Sequence, residues 1–385
     1  MPSRRVFFRC VVAAGVTGAA VTPLGGAIRV APSPRKLPAF PTARPSKLTI
    51  FLDHNENAYG PSEKVRAALV EAPPLANRYP RDEYPALRNK LAALYSVQED
   101  HILLACGSSE ILRVAASALL ASGKRLVQAL PTYSTLGKFA RELGADVVEV
   151  PLTKLYEHDL DSMLKRVDAR TSLVYICNPN NPTATLTVRK DLDTFIRRLP
   201  DHVHVLIDEA YSDFVSPHAG YASFLDSPID DPRVVVCRTF SKVYGLAGMR
   251  VGYAVGSPDT LKRLGASQLR YGVSTIAAKA ALTAVEDAEY VRTAIKRNAD
   301  DRQEFMNQVN IRMLRAIDSH ANFALLNPLR PTDAVLDHLK QNNIFVAPLI
   351  PTMDQYIRIS FGVPEEMREF WKVMDQLPAT GKMAM

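Results

Sequence analysis

The chain has 385 residues, of which 47% are apolar and 23% are charged, so it is long enough to bury one large hydrophobic core or two smaller ones. Its 47 basic and 40 acidic residues leave a net charge of +7, and they are spread along the whole chain. That surplus is too small and too dispersed to favour nucleic acid or an anionic membrane surface as a partner.

The first 27 residues have the pattern of an export signal. The stretch SRRVFF at residues 3–8 contains Arg4 and Arg5 and resembles the twin-arginine motif, and an apolar run rich in Gly and Ala follows it. A membrane anchor is the alternative, but Gly and Thr interrupt the run, which is shorter than the ~20 residues that a spanning helix needs. We therefore predict export through the twin-arginine route to the periplasm, removal of residues 1–27 and no stable membrane insertion after processing. A cytoplasmic location is the alternative.

Residues 28–46 are rich in proline and basic residues, which predicts a mobile linker. Beyond the predicted signal, Cys106, Cys177 and Cys237 each end or follow an apolar run, as small buried residues do. These three cannot all pair within one chain, and their spacing does not match a metal site, so we expect no metal. The pattern fits a fold completed in the cytoplasm, which the twin-arginine route permits because it moves folded proteins.

Short apolar runs and helix-like stretches alternate from residue 102 onwards. Most of the runs are continuous, which is typical of strands buried on both faces. The alternation predicts an α/β fold with three layers, in which helices cover both faces of a mostly parallel, seven-stranded sheet. The predicted strands are Ile102–Ala105, Leu126–Leu130, Val147–Val150, Leu173–Cys177, Val203–Ile207, Val234–Cys237 and Val251–Val255.

Long helices and a mixed tail replace this alternation after residue 275. We therefore predict a large domain over residues 78–285 and a smaller α+β domain that joins residues 40–77 to residues 286–385. The predicted helices between the strands include Glu110–Ala121, Thr135–Leu143, Asp159–Lys165 and Val188–Arg198.

Polar residues follow most of the predicted strands, at the edge where ligands bind in sheets of this kind. Gly107, Ser108 and Ser109 open a helix, and their backbone N–H groups could cradle a phosphate, although a plain helix N-cap is the alternative. Lys242 follows the sixth strand and raises the question of whether it is a solvated charge or a nucleophile. The other residues at this edge are Tyr133, Asn181, Asp208, Tyr211, Thr239 and Ser241.

These residues resemble a known family in order and spacing. Asn181-Pro182-Thr183, Asp208 with Tyr211, and Ser241-Lys242 with Arg250 match the fold-type I aminotransferases that use pyridoxal 5′-phosphate. Within that family, the stretches LDHNENAYGP, NRYP and DEAYSDF are similar to the histidinol-phosphate aminotransferase branch. The resemblance covers about residues 48–375. It implies a large cofactor domain, a small domain and a homodimer.

The resemblance gives the residues around the cofactor ring their roles. Lys242 would hold the cofactor's aldehyde as a Schiff base and then move a proton. Asp208 would keep the ring nitrogen protonated, and the neighbouring Glu209 would point to the opposite side of the strand. Asn181 and Tyr211 would donate hydrogen bonds to the phenolate oxygen of the ring.

The resemblance also assigns the phosphate site and a contact between subunits. Arg250 would grip the phosphate with its forked guanidinium, and Tyr133 would stack on the ring. Tyr79, in the NRYP stretch, would reach the phosphate bound to the partner subunit, which would make the site composite. The remaining phosphate donors would be Gly107, Ser108, Ser109, Thr239 and Ser241.

The substrate is the least determined part of the resemblance. Arg358 matches an arginine that grips an anionic group, usually the α-carboxylate, and Asn322 and Tyr59 match other substrate-side positions. Histidinol-phosphate aminotransferases usually carry a second arginine for the substrate phosphate, but residues 343–351 hold no cation. Ala184 also stands where the family usually has glycine. An exported enzyme would not meet a cytoplasmic biosynthetic intermediate, so we expect an amino acid and a 2-oxo acid as substrates.

Other activities stay open on the same scaffold. Decarboxylases, lyases and oxidases use the same cofactor, because different groups can leave from the same carbon, and true histidinol-phosphate aminotransferase activity is a further alternative. A regulator that binds the cofactor would need a DNA-binding part, and the linker before residue 48 is too short for one. A protein without activity is disfavoured because Lys242 and its supporting residues are all present.

Overall fold

The computed structural model describes residues 49–216, 219–226, 228 and 230–377. The predicted export signal and the whole of the predicted linker lie outside these residues. The strands are β1 (Ile50–Leu52), β2 (Ile102–Ala105), β3 (Arg125–Leu130), β4 (Asp146–Pro151), β5 (Thr171–Cys177), β6 (His204–Asp208), β7 (Val234–Thr239), β8 (Gly252–Val255), β9 (Arg315–Ala316), β10 (Phe323–Asn327), β11 (Ile344–Val346) and β12 (Ile357–Ser360).

The helices between and after these strands are α1 (Glu63–Glu71), α2 (Glu83–Leu94), α3 (Ser108–Leu119), α4 (Thr135–Glu142), α5 (Leu160–Lys165), α6 (Arg189–Arg198), α7 (Pro258–Gly265), α8 (Thr275–Glu286), α9 (Ala288–Ile311), α10 (Thr332–Gln341) and α11 (Pro364–Asp375). Single 3-10 turns occur at Pro73–Leu75, Glu99–His101, Ser212–Phe214 and Ala247–Met249.

The seven-stranded sheet has the order β2-β8-β7-β6-β5-β3-β4. Strand β8 runs antiparallel to both of its neighbours, and the other pairs are parallel. All seven predicted strands are present, and each predicted helix begins and ends within two residues of its predicted bounds. The predicted three-layer α/β/α fold is therefore confirmed.

Burial on both faces explains why these strands read as continuous apolar runs. In β6, Val205 and Ile207 pack into one core, which also receives helices α2, α6 and α8. The intervening Leu206 packs into a second core on the other face, with helices α3, α4 and α7. Because neighbouring residues of a strand point to opposite faces, both cores need apolar residues from the same run.

A separate core lies under two smaller sheets. Strands β1 and β11 pair in parallel, and β12, β10 and β9 form an antiparallel sheet. Ile50 and Leu52 of β1 pack with Phe305 and Trp371 of the later helices. These residues fall within the ranges predicted for the small domain, as does Val65 of α1, which instead packs into the core of the large sheet. The exact domain limits stay a prediction.

Three further observations concern only the described residues. None of the helices is long and apolar enough to cross a membrane. No group of three or more His, Cys, Asp or Glu side chains lies together in a way that could hold a metal ion. Cys106, Cys177 and Cys237 are all unpaired, and the last two are buried.

Candidate active site

A cavity of about 380 Å³ lies at the carboxyl edge of the large sheet. The parallel strands β5, β6 and β7 end beside it, with Cys177, Asp208 and Cys237 adjacent in register. The residues that line the cavity come from this edge, from the loop after β1 and from β12. They are His54, Asn55, Glu56, Ser108, Ser109, Tyr133, Cys177, Asn181, Asp208, Ala210, Tyr211, Thr239, Ser241, Lys242, Ala247, Gly248, Arg250 and Arg358.

Asp208 is the buried acid of the cavity. It is the last residue of β6 and only 2% exposed. The hydroxyl of Tyr175 donates to Oδ2 at 2.9 Å, and the backbone N–H of Ala210 donates to Oδ1 at 3.1 Å. Burial raises the pKa of the Asp208 carboxyl, and these two hydrogen bonds oppose the rise. A carboxylate in this setting is stabilised by a cationic partner placed in the cavity.

Tyr211 presents its hydroxyl to the same cavity. Its oxygen accepts hydrogen bonds from Asn55 Nδ2 at 3.0 Å and from Asn181 Nδ2 at 3.2 Å. Burial raises the pKa of Tyr211 well above its ordinary value, so the phenol stays protonated. The hydroxyl hydrogen is then free to be donated to a ligand in the cavity.

Lys242 follows β7 and is half-buried. Its Nζ donates to the backbone oxygens of His54 at 3.0 Å and Asn55 at 2.9 Å. Burial, followed by the nearby guanidinium of Arg358, lowers the pKa of Lys242 to about 8. An amine with this pKa is partly neutral near pH 7–8, which is the form that attacks a carbonyl carbon.

Hydroxyl groups and a guanidinium gather at the other end of the cavity. Ser241 accepts from Thr239 Oγ1 at 2.9 Å and from Arg250 Nη1 at 3.3 Å. Ser108 opens helix α3, so the free N–H groups and the helix dipole face this end. Gly107 lacks a side chain, and a Cβ built there would collide with the guanidinium of Arg250.

Arg358 lies on β12 and also lines the cavity. Its Nη1 donates to Asn181 Oδ1 and its Nη2 to the backbone oxygen of Asp53, both at 2.7 Å. The Nε atom is buried and has no hydrogen-bond partner among the described residues. Ala347 lies beside this arginine, because its N–H donates to the Arg358 carbonyl at 3.2 Å. Its methyl group adds no charge here.

The comparisons with known proteins agree with this geometry. Residues 49–373 match the family described as aminotransferase class I and II. The chain belongs to this family. Histidinol-phosphate aminotransferase 2 of Carboxydothermus hydrogenoformans is 37% identical over 321 residues, which are 83% of this chain and 88% of that protein. The corresponding enzyme of Staphylococcus carnosus is 34% identical over 323 residues, 84% of this chain and 89% of its own.

A solved structure supports the same family assignment. Histidinol-phosphate aminotransferase from Sinorhizobium meliloti, in complex with pyridoxal-5′-phosphate, matches with a TM-score of 0.80 and 27% identity over 86% of this chain and 92% of that one. The predicted fold, transaminase activity and pyridoxal phosphate cofactor are therefore confirmed. The chain is a pyridoxal-phosphate-dependent aminotransferase.

The cavity of this aminotransferase fits that cofactor. Hydroxyls and a guanidinium suit a phosphate at one end, and the buried carboxylate of Asp208 suits a pyridinium nitrogen. The amine of Lys242 lies on the wall of the same cavity. Tyr133 also lines it, as predicted for a residue that stacks on the ring. Because Gly107 has no side chain, the guanidinium of Arg250 can lie against it at the phosphate end.

Besides Gly107, three predicted site residues do not line the cavity. Tyr79 is 68% exposed and stacks on Tyr271 at 4.6 Å between ring centroids. The hydroxyl of Tyr59 donates to Asp301 Oδ1 at 3.2 Å, and burial, followed by the charge of Asp301, raises the pKa of Tyr59 to about 12. Asn322 is buried behind the loop that follows β1. Their predicted roles toward the phosphate and the substrate stay predictions.

The loop after β1 contributes residues that sequence reasoning gave no role. Four consecutive carbonyls, from Asp53 to Glu56, accept hydrogen bonds from Arg358, Lys242 and Asn322. Asn55 is 1% exposed and has a φ of 53°, in the left-handed region that asparagine tolerates. The signal was present in the stretch LDHNENAYGP, where polar residues follow a short apolar strand, but only Tyr59 was singled out from it.

The backbone positions of Glu209 and Ala184 explain where their side chains lie. Glu209 points to the far side of β6, where its Oε2 accepts from Arg238 Nη2 at 2.9 Å and from Ser223. Ala184 has a φ of 60° and is fully buried. The left-handed backbone explains why glycine is usual at this position, and the alanine methyl packs beside Tyr211 and neighbouring apolar side chains instead.

Proposed function

We propose that this aminotransferase moves an amino group between a free α-amino acid and a 2-oxo acid. The observation that supports this substrate class is that, among the described residues, Arg358 is the one arginine of the cavity wall besides Arg250 at the phosphate end. Arg358 can bind one carboxylate, and residues 343–351, which include Ala347 beside it in the backbone, bring no second cation to hold a phosphate dianion as well. Lys242 and Arg250 have other tasks.

Pyridoxal phosphate, when bound, supplies an electron sink that weakens the bonds at the α-carbon of an amino acid. We assign Lys242 to hold it covalently and to move the proton of the α-carbon, because its pKa of about 8 makes both roles accessible near neutrality. Asp208 keeps the proton on the ring nitrogen. Tyr211 and Asn181 orient the ring through its phenolate oxygen, and Arg250 anchors the phosphate.

Arg358 orients the substrate in this proposal. A carboxylate that docks on the guanidinium replaces the two acceptors that hold it now, Asn181 Oδ1 and the Asp53 carbonyl. The planar fork matches both carboxylate oxygens, so the guanidinium would hold the carboxylate, and with it the α-carbon, in one orientation. The lone Nε atom offers a further donor at the same place.

An amino-donor panel tests this function. Purified protein loaded with pyridoxal phosphate is incubated with each amino acid and several 2-oxo acids, and both the 2-oxo product and ammonia are measured. We expect 2-oxo acid and new amino acid in equal amounts and no ammonia. Ammonia or CO₂ without amine transfer would place the physiological reaction among the lyases, oxidases or decarboxylases.

Histidinol phosphate is the second candidate substrate, and the names of the 37% and 34% identical relatives favour it. Single-turnover measurements with histidinol phosphate and histidine separate the two. If histidinol phosphate has by far the higher specificity constant, a residue outside the segment 343–351 must bind the substrate phosphate. If histidine and other free amino acids react as well as histidinol phosphate does, the free amino acid is the better assignment.

We further propose that the enzyme is a homodimer with composite sites, because Tyr79 is exposed beside Tyr271 and the resemblance places it at the partner's phosphate. Mixing inactive Lys242→Ala and Tyr79→Ala variants under conditions that exchange subunits tests this. A hybrid would contain one site with both native residues, so activity should return. No recovery in mixtures that form hybrids would contradict the composite site.

Finally, we propose that the enzyme is exported to the periplasm through the twin-arginine route. The support is the sequence of residues 1–27, with its paired arginines, apolar middle and small residues at the end. The unpaired, buried Cys177 and Cys237 are compatible with a protein that folds and loads its cofactor before export. Cell fractionation with amino-terminal sequencing of the mature protein tests this location.

A further inference from the structure

One charged side chain on the cavity wall has no task in the proposed function. The three cations there, Lys242, Arg250 and Arg358, all donate to protein oxygens. Asp208 accepts two hydrogen bonds from the protein. Glu56 also lines the cavity, but within the described part of the chain its carboxylate forms neither a hydrogen bond nor an ion pair. It is an exposed anion on a wall that it shares with Lys242 and Arg358.

The position of Glu56 is fixed through its backbone. Asn322 Nδ2 donates to the carbonyls of Asn55 at 3.0 Å and Glu56 at 3.1 Å. On the preceding residue, the N–H of Asn55 donates to Ser360 Oγ at 2.8 Å. The Asn55 carbonyl also accepts from Lys242, but the Glu56 carbonyl and the Asn55 N–H bind only Asn322 and Ser360 among the described residues. The last two contacts do not depend on the lysine or the arginines of the cavity, and they hold the Glu56 backbone beside it.

The charge of Glu56 already acts on the reacting end of the cavity, since it opposes the fall in pKa that burial causes at Lys242. A substrate that places its α-carboxylate on Arg358 must direct its side chain along the remaining wall. A carboxylate there attracts a side-chain cation and repels a second acid, such as that of glutamate. The effect is graded, because Glu56 is also exposed to water.

We propose that Glu56 is a specificity-determining residue that favours amino donors whose side chain ends in a nitrogen cation, such as an ammonium, a guanidinium or a protonated imidazole. The proposal rests on the proposed function, in which Arg358 takes the α-carboxylate. It gives the substrate class as basic amino acids. It also gives Asn322 the role of a positioning residue that holds the Glu56 backbone from behind.

Binding of α-methyl amino acids tests the proposal, because these carry no α-hydrogen and therefore report affinity without turnover. Cofactor-loaded protein is titrated calorimetrically with α-methylornithine and with its uncharged isostere α-methylnorleucine. We expect the parent to bind the ornithine analogue about fivefold more tightly, the most that an exposed ion pair usually contributes. Glu56→Gln should bind both equally, and added salt should reduce the preference of the parent.

Glu142→Gln is the matched control, since Glu142 is exposed at the end of α4 and away from the cavity. It should keep the parental preference. The proposal is overturned if the parent binds the two analogues equally, if neither analogue binds, or if Glu56→Gln keeps the parental preference. A change in the mass of the assembly in Glu56→Gln also overturns it, because the carboxylate would then serve a subunit contact.

Ornithine and norleucine themselves are assayed in parallel for 2-oxo acid. This assay separates the role of Glu56 from the proposed function on which it rests. If no donor yields a 2-oxo acid, transamination of free amino acids is contradicted, while the binding preference is still measured by the α-methyl pair. If both donors react but the analogues bind equally, the function holds and the role of Glu56 fails.

Discussion

Replacing Lys242 by methionine should change how the stability of the cofactor-free protein depends on pH. Burial and Arg358 lower the pKa of Lys242 from its ordinary value of 10.5 to about 8 on folding. The unfolded chain therefore binds this proton more tightly than the folded protein does. The resulting penalty on folding is full below pH 8 and disappears as the pH rises from about 8 to 10.5.

The size of the penalty follows from the two pKa values. A fall from 10.5 to about 8 costs about 3 kcal/mol at pH 7 and about 1.5 kcal/mol at pH 9.5. Because the side chain is half-buried and partly screened by water, we expect the difference between these two pH values to be about 1 kcal/mol. Methionine keeps the length of the side chain but loses the hydrogen bonds to His54 and Asn55, which lowers stability by about 1 kcal/mol at every pH.

Urea denaturation of the cofactor-free parent and Lys242→Met at pH 7 and pH 9.5 measures this effect. The free energy of unfolding of the variant minus that of the parent should be about 1 kcal/mol larger at pH 7 than at pH 9.5. Lys165→Met, at the exposed end of α5, is the control and should show the same difference at both pH values. If Lys242→Met also shows equal differences, the fold does not disfavour its ammonium and the reasoning is refuted.

Other substitutions test the remaining assignments. Asp208→Asn keeps the shape of the side chain but removes its charge, so turnover should fall about a thousandfold, equivalent to about 4 kcal/mol; near-parental turnover would contradict the role. Arg358→Ala should cost the amino-acid half-reaction about 2–5 kcal/mol and leave the spectrum of the bound cofactor unchanged; an unaffected half-reaction would exclude it as the carboxylate site. Borohydride reduction followed by peptide mapping should label Lys242 and no other lysine. Lysine in place of Arg4 and Arg5 should leave a full-length, active precursor in the cytoplasm, whereas an intact amino terminus in cytoplasmic parent protein would refute export.

The large sheet was predictable because its strands must feed two cores at once. Runs such as Val203–Ile207 are apolar without interruption, and the polar residues that follow them fall at one edge by the geometry of a parallel sheet. Asp208, Tyr211 and Lys242 were found in this way, since each follows its strand within a few positions. Their meeting in one cavity also depends on strand order, since β5, β6 and β7 are neighbours in the sheet.

The loop after β1 was less accessible to sequence reasoning. Asn55 meets Ser360 across 305 positions, and Asn322 meets Asn55 across 267, so no local pattern marks either contact. Backbone carbonyls also carry no sequence identity, and it is carbonyls that Lys242, Arg358 and Asn322 bind here. A short strand followed by two asparagines showed where the loop begins, but its contacts are set by tertiary packing alone.

The close approach of Gly107 and Arg250 has a consequence for how this protein can evolve. Any side chain at residue 107 would meet the guanidinium from across the sheet, and the φ of 74° there disfavours other residues in any case. The arginine itself occupies left-handed backbone, at a φ of 55°. Residue 107 therefore cannot acquire a side chain while Arg250 keeps its present place, and two independent constraints, its own backbone and the neighbouring guanidinium, hold it as glycine. Loss of the arginine in a descendant would remove only one of the two.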